Sequence, residues 1–280
     1  MRIAIVGSGV SGLVAARRLH PQHNVMVFEA DDRIGGHVHT WTVRSGGREY
    51  RVDSGFIVCN DRNYPNFMTL LADIGIATQP STMSFSVRHD AARLEYNGSS
   101  VRQLFVQPTN AARPQFLRML ADVLRFNRDA ARAAIRGGPG LTLAALLADG
   151  GYSTPFRDWY LLPMGSAIWS LPPARVLDMP AGFFIDFFAN HGMLTVNDRP
   201  QWRVVAGGSS RYVDALTTPL QGRIRLRHRV RRVERFHDHV EVDGEPFDRV
   251  VLACHSDQAL SVLAAPSRAE REVLGALPYQ

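Results

Sequence analysis

A chain of 280 residues, 45% hydrophobic and 21% charged, has the make-up of a soluble globular protein long enough for two intimately joined lobes. Its formal charge of +6 permits association with phosphates, anionic lipid heads or nucleic acid without selecting among them, and all 32 basic residues are arginine, which excludes a lysine Schiff base. Cys59 and Cys254 stand alone, so neither a disulfide framework nor a thiolate metal site is expected, a reducing cytoplasm fits, and no apolar run reaches membrane-spanning length.

The chain opens on a nucleotide-binding unit. Arg2-Ile-Ala-Ile-Val6 is a short apolar run rich in β-branched residues, which reads as a buried parallel strand rather than part of a signal peptide. It stops at Gly7, and Gly7-Ser8-Gly9-Val10-Ser11-Gly12 fills the G-x-G-x-x-G pattern ahead of a helix from Leu13 to Leu19. Gly7 allows the tight turn, Gly9 lets a pyrophosphate approach the backbone, and Gly12 lets helix and strand sit close. Phosphates there face free N–H groups and a macrodipole worth roughly half a positive charge. A second strand, Asn24 to Phe28, ends in Glu29, whose carboxylate is placed to accept two hydrogen bonds from the ribose of an adenosine.

The next residues narrow the ligand. Glu29-Ala30-Asp-Asp-Arg33-Ile-Gly35-Gly36 resembles the extension found in flavoproteins of the amine oxidase, phytoene desaturase and protoporphyrinogen oxidase superfamily. Gly35-Gly36 permits a second close backbone approach and Arg33 supplies charge for phosphate, which favours FAD over NAD. The superfamily often has Arg after this pair. Here His37 stands there, near where the resemblance implies the flavin ring begins.

Residues His39 to Asp53 read as a β-hairpin turning at Ser45-Gly46-Gly47. Asp53-Ser-Gly55-Phe56 resembles the D-x-G element of the same flavoproteins, with Asp53 either a turn-forming carboxylate or a cofactor contact. Tyr64 to Leu71 is a helix. From Gln79 the pattern leaves the nucleotide fold: Phe85–Arg88 and Leu94–Asn97 are short strands, and Arg113–Arg136 is a long helix with Phe116, Leu117, Leu120, Leu124 and Ile135 among its apolar positions. Gly137-Gly-Pro-Gly140 ends it, and Leu141–Ala148 and Pro155–Leu162 are further helical pieces. Phe183, Phe184, Phe187 and Phe188 recur at helical spacing. They are either core or the wall of an apolar tunnel or lipid-dipping surface, and Trp169, Trp202 and Met164 allow the same two readings.

At Gly207-Gly208 the chain returns to the nucleotide lobe. A helix at Ser209–Leu220, the segment Ile224-Arg-Leu226, a strand from Val230 to Phe236, a hairpin strand at Val240–Val242, a strand from Asp248 to Cys254 and a helix at Ser256–Leu263 follow. Arg223, Arg225, Arg227, Arg229 and Arg231 alternate with apolar residues, which predicts a solvated strand face; no nucleic-acid motif accompanies them.

Taken whole, the chain resembles the bacterial FAD/NAD-binding proteins of this superfamily associated with cyclopropane fatty acid synthases. The strings Asp53–Arg62, Tyr64–Phe67, Leu161–Gly165, Asp198–Arg203 and Ala253–Gln258 carry that likeness. The resemblance implies an α/β protein: a discontinuous Rossmann-like FAD-binding domain (1–78 and 205–280) with an inserted α+β substrate lobe (79–204). It also implies that Val230 offers its backbone to adenine, that Ala253 lies near the cofactor, and that further chain follows Leu277-Pro-Tyr-Gln280, so that this chain is truncated. The expected cofactor contacts are therefore Gly7, Ser8, Gly9, Val10, Ser11, Gly12, Glu29, Ala30, Arg33, Gly35, Gly36, His37, Val230 and Ala253. The expected function is FAD-dependent redox chemistry on an apolar, acyl-chain-like small molecule or lipid, in the cytoplasm or peripheral to the inner face of the membrane. His37 and His39 are the titratable groups nearest the expected flavin edge, but no catalytic residue is assigned. An NAD(P)-dependent dehydrogenase and an inactive nucleotide-binding fragment are the alternatives.

Overall fold

The computed structural model describes residues 1–138, 140–195, 200–277 and 279; the sequence readings that include Pro139, Asp198, Arg199, Pro278 and Gln280 fall outside these at those positions. The chain divides into two units, one of residues 1–59, 64–80 and 203–280 and one of residues 60–63 and 81–202.

The first unit is a parallel sheet with a different layer on each face. Strand β1 (Arg2–Val6) leads into helix α1 (Val10–Leu19) and strand β2 (Asn24–Phe28). The sheet order is Arg249–Leu252, β1, β2, Ile224–Arg225, with every neighbour parallel. Alternate residues of β1 serve different layers, which explains its unbroken apolar run. Ile3 and Ile5 face a cluster with Leu13 and Ala16 of α1 and Tyr212 and Leu216 of the Ser210–Thr217 helix. Ala4 and Val6 face Val233, Val240, Val242 and Phe247 of a three-stranded antiparallel meander. Burying each large side chain contributes about 1.5–3 kcal/mol. The expected α/β class is the one found.

After β2 the first unit continues with the hairpin strands β3 (His39–Ser45) and β4 (Arg48–Ser54) and helix α2 (Pro65–Asp73). Asp53 ties this hairpin to the sheet unit. Its carboxylate accepts from Thr40 Oγ1 (2.5 Å), the Ser209 N–H (2.8 Å) and Ser209 Oγ (2.9 Å), while Thr40 Oγ1 accepts from the Ser210 N–H (2.9 Å). In this structure Asp53 braces the start of the Ser210–Thr217 helix. Asp53→Ala strands three donors and is expected to cost about 1–3 kcal/mol, read as a lower denaturation midpoint. An unchanged midpoint would remove Asp53 from the frame of the fold.

The second unit is mostly helical, with a small hairpin at Ser86–His89 and Leu94–Asn97. Its longest helix, Pro114–Gly137, turns Phe116, Met119, Phe126 and Ala130 inward and leaves Leu117, Leu124 and Ile135 exposed. A π turn at Arg157–Leu161 precedes Pro163, whose ring cannot sit against the carbonyl four residues back. In the Ala181–Asn190 helix, Phe184 and Phe188 are core, packed at 4.3 Å between ring centres, and Phe183 is exposed. Half of the phenylalanine stripe is thus core of its own unit. No helix among the described residues is long and apolar enough to cross a membrane.

Two strand readings need correction. The strand expected from Val230 begins only at Val233, because Asp243 Oδ1 accepts the Arg231 and Arg232 N–H groups (both 2.9 Å) where a ladder partner would stand. The alternating arginines do not share one strand face either. Pairing ends after Arg225, the chain turns at Arg227 (φ 53°), and Arg225 lies over the Phe28 ring while pairing with Glu245 (2.5 Å).

Candidate dinucleotide site

The site lies where the parallel strands β1 and β2 end, the usual ligand-binding edge of an open α/β sheet. Gly7 leaves β1 at φ 105°, which an L side chain rarely adopts, and a Cβ there would lie 2.5 Å from the Ala253 carbonyl oxygen. Ala253 is held in place by its own N–H on the Val6 carbonyl (2.8 Å). At Gly12 a Cβ would overlap the Gly7 carbonyl and meet the Ala253 Cβ at 3.3 Å, so α1 packs on the turn only through a hydrogen atom. Gly9 is the opposite case: a Cβ there meets nothing within 4 Å. Its open side is where a ligand can come close.

Helix α1 begins at Val10, earlier than the periodicity indicated, with Gly9 as its N-cap. No side chain caps this end and its first turn carries no acid, so among the described residues the N–H groups of Val10, Ser11 and Gly12 remain free for an anion. The second glycine pair closes over the first loop. Gly35 bridges Gly9, its N–H donating to the Ser8 carbonyl (3.1 Å), and a Cβ on Gly36 (φ 59°) would sit 3.1 Å from the Gly9 Cα. Arg33, expected to meet phosphate, directs two guanidinium nitrogens at the Gly36 (2.7 Å) and Val38 (2.9 Å) carbonyls and so braces this loop.

Glu29 is buried at the end of β2. Oε2 accepts from the Ser8 N–H (2.9 Å) and Ser8 Oγ (2.5 Å), and Oε1 from the Asp31 N–H (2.9 Å). Burial pushes this carboxyl up, but the bonds from Asp31, Ser8 and Ala30 together outweigh it and hold it below the ordinary carboxylate value. Linkage gives the sign. A lowered folded value contributes stability that is present above the unfolded carboxylate range and is lost as pH falls through the folded value. Unfolding free energy measured against pH is therefore expected to fall on the acid side, and the Glu29→Gln protein to fall less steeply there. Parallel acid limbs would contradict this.

A loop from the last sheet strand crosses Glu29: the Glu29 N–H donates to the Arg225 carbonyl (2.9 Å), and its carbonyl accepts from the His228 N–H (2.8 Å). Two residues on, Val230 is buried, and among the described residues neither its N–H nor its carbonyl has a backbone partner. Ala30 is exposed beside Glu29. His37 is exposed too; its ring stacks on His255 (5.6 Å), which stacks on Tyr279 (4.3 Å). The structure thus gathers residues 7–12, Glu29, Ala30, Arg33, Gly35, Gly36, His37 and Ala253 around one strand edge, with Val230 on the loop that follows. Sequence reasoning missed the bracing by Asp31, Asp243 and His255. Only the Asp243-Gly244 turn pair carried a local signal. Among the described residues no group of three His, Cys, Asp or Glu could hold a metal ion.

A glycine loop under a free helix N-terminus, a buried ionised acid after the second strand and a second glycine pair define a dinucleotide-binding protein. Residues 10–280 match the family described as flavin containing amine oxidoreductase. The chain belongs to that family, whose cofactor is FAD. The flavin-dependent L-tryptophan oxidase RebO of Lentzea aerocolonigenes is 29% identical over 86% of this chain and 54% of its own length. Two solved structures share the fold over 98% of this chain. Cyclohexylamine oxidase from Brevibacterium oxydans has a TM-score of 0.70, 21% identity and 62% of its chain covered; the CLA-producing fatty acid isomerase from P. acnes has 0.63, 19% and 63%. The chain spans about half the length of the curated relatives it matches.

Proposed function

We propose that this chain holds FAD and serves an FAD-dependent oxidoreductase that acts on an apolar, acyl-chain-like substrate. The observation that carries the cofactor half is the pairing of an open Gly9, under unclaimed N–H groups, with the buried, ionised Glu29. In this reading the N–H groups of Val10, Ser11 and Gly12 and the backbone at Gly35-Gly36 take the pyrophosphate, and Glu29 takes the adenosine ribose. The free backbone groups of Val230 take adenine, with His37 and Ala253 toward the ring half. The second glycine pair, an approach a plain NAD unit does not need, supports FAD over an NAD(P)-dependent dehydrogenase. Residues 1–78 and 205–280 are then the cofactor domain and 79–204 the substrate lobe. When bound, FAD supplies a two-electron acceptor; the chain's own residues bind it, orient it and keep its phosphates paired.

The acyl-chain half is supported by the sequence likeness to the group associated with cyclopropane fatty acid synthases. A lipid substrate would bring the protein to the inner face of the membrane. The identity to L-tryptophan oxidase favours a second reading, an amine or amino acid as substrate. Anaerobic mixing of the FAD-loaded protein with unsaturated fatty acids or with amines tests the choice by bleaching of the visible flavin band. Bleaching by fatty acids alone supports the first reading, by amines alone the second. No bleaching by either favours an inactive nucleotide-binding module.

A further inference from the structure

We propose that Ser8 is a positioning residue whose hydroxyl fixes the Glu29 carboxylate as a one-oxygen ribose acceptor and ties it to the second glycine pair. This rests on the FAD reading above. Ser8 is fully buried, and its hydroxyl lies between Glu29 Oε2 (2.5 Å) and the Gly35 N–H (3.3 Å). Its direction is forced. An ionised carboxylate can only accept and an N–H can only donate, so the single hydroxyl proton goes to Glu29 and an oxygen lone pair receives Gly35.

The consequence falls on the carboxylate. Each of its oxygens offers about two lone-pair sites. Ser8 fills both on Oε2, through its N–H (2.9 Å) and its hydroxyl, whereas on Oε1 the bond of ordinary length among the described residues is the one from the Asp31 N–H (2.9 Å), with the Ala30 backbone a weaker contact of the carboxylate. Glu29 therefore presents Oε1, not both oxygens, to the ribose. The charged and titratable groups around it are Asp31 and Asp32 on its own loop, Arg33 bonded to Gly36 and Val38, and Arg225, Arg227 and His228 on the crossing loop. Behind them Arg225 pairs with Glu245, Arg227 with Asp32 (3.6 Å) and His228 with Asp243 (3.5 Å). None of these side chains bonds the Glu29 carboxylate. Among the described residues Ser8 is the side chain that does.

Ser8→Ala keeps both backbone bonds of residue 8, including Gly35 N–H to its carbonyl, so the loop is expected to fold. The test is FAD affinity across pH for the wild type, Ser8→Ala, Glu29→Gln and the double variant. Ser8→Ala is expected to weaken FAD about tenfold at neutral pH and to move the acid limb of binding to higher pH, because the carboxyl loses a donor. In the Glu29→Gln background it should add less than about twofold. Equal losses in both backgrounds with an unmoved acid limb would reduce Ser8 to packing and overturn the proposal. Carbon-13 titration of the Glu29 carboxyl in ligand-free protein separates the two ideas. It should titrate at higher pH in Ser8→Ala, and an unchanged titration overturns the role of Ser8 whether or not FAD binds. A wild type that binds no FAD defeats the cofactor reading instead, and the carboxyl titration then decides the role of Ser8 alone.

Discussion

Gly12→Ala is expected to destabilise the protein by about 3 kcal/mol or more, the upper range for an overpacked contact. Alanine is ordinarily the better helix residue by about 1 kcal/mol, so propensity alone predicts a gain. Geometry reverses the sign. The new methyl would overlap the Gly7 carbonyl oxygen and press on the Ala253 Cβ at 3.3 Å, and both belong to the turn that α1 sits on. Neither can retreat easily: Gly7 donates its N–H to the Phe28 carbonyl (2.8 Å) and Ala253 donates to Val6 (2.8 Å). Urea unfolding would show the loss as a lower midpoint. A midpoint equal to or above wild type would mean that α1 and β1 do not pack as described.

Gly9→Ala is expected to behave in the opposite way. Gly9 has φ −64° and ψ 175°, open to any residue, and its Cβ would touch nothing within 4 Å. Stability should stay within about 0.5 kcal/mol of wild type, as for a substitution without a clash. FAD affinity should fall roughly a hundredfold, about 2.7 kcal/mol, because the methyl occupies an open face of the loop that this account gives to the pyrophosphate. The two glycines thus separate folding from binding with the same chemical change. Full FAD affinity in Gly9→Ala would place the pyrophosphate elsewhere.

What the sequence made legible was local. Arg2–Val6, the glycines, Asn24–Phe28 and Glu29 lie within one βαβ unit, and each residue's task follows from its neighbours in the chain. The open face at Gly9 and the crowding at Gly12 follow from the same spacing. Legibility failed where a distant side chain replaced a backbone partner. Asp243 takes the N–H groups of Arg231 and Arg232, which delays the strand read from Val230, and no pattern around Val230 announces it. Glu245, contacted by both Arg2 and Arg225, breaks an arginine alternation that strand periodicity had put on one face. Asp53 was open between cofactor and turn; its bonds to Thr40 and Ser209 span 156 residues of sequence to the latter, which spacing cannot reveal. On the Pro114–Gly137 helix the apolar positions outnumber those the core uses, so composition alone did not separate buried Phe126 from exposed Leu124.

The loss of affinity in Gly9→Ala and the binding arm of the Ser8 cycle both depend on one claim, that this strand edge is a cradle for FAD. Titrating the purified, ligand-free chain with FAD, followed by gel filtration and an absorption spectrum, tests it most directly. One FAD retained per chain, lost in Gly9→Ala and not displaced by NAD or NADP, is the result the structure predicts. A chain that stays colourless with FAD, or binds NADH in its place, would contradict it.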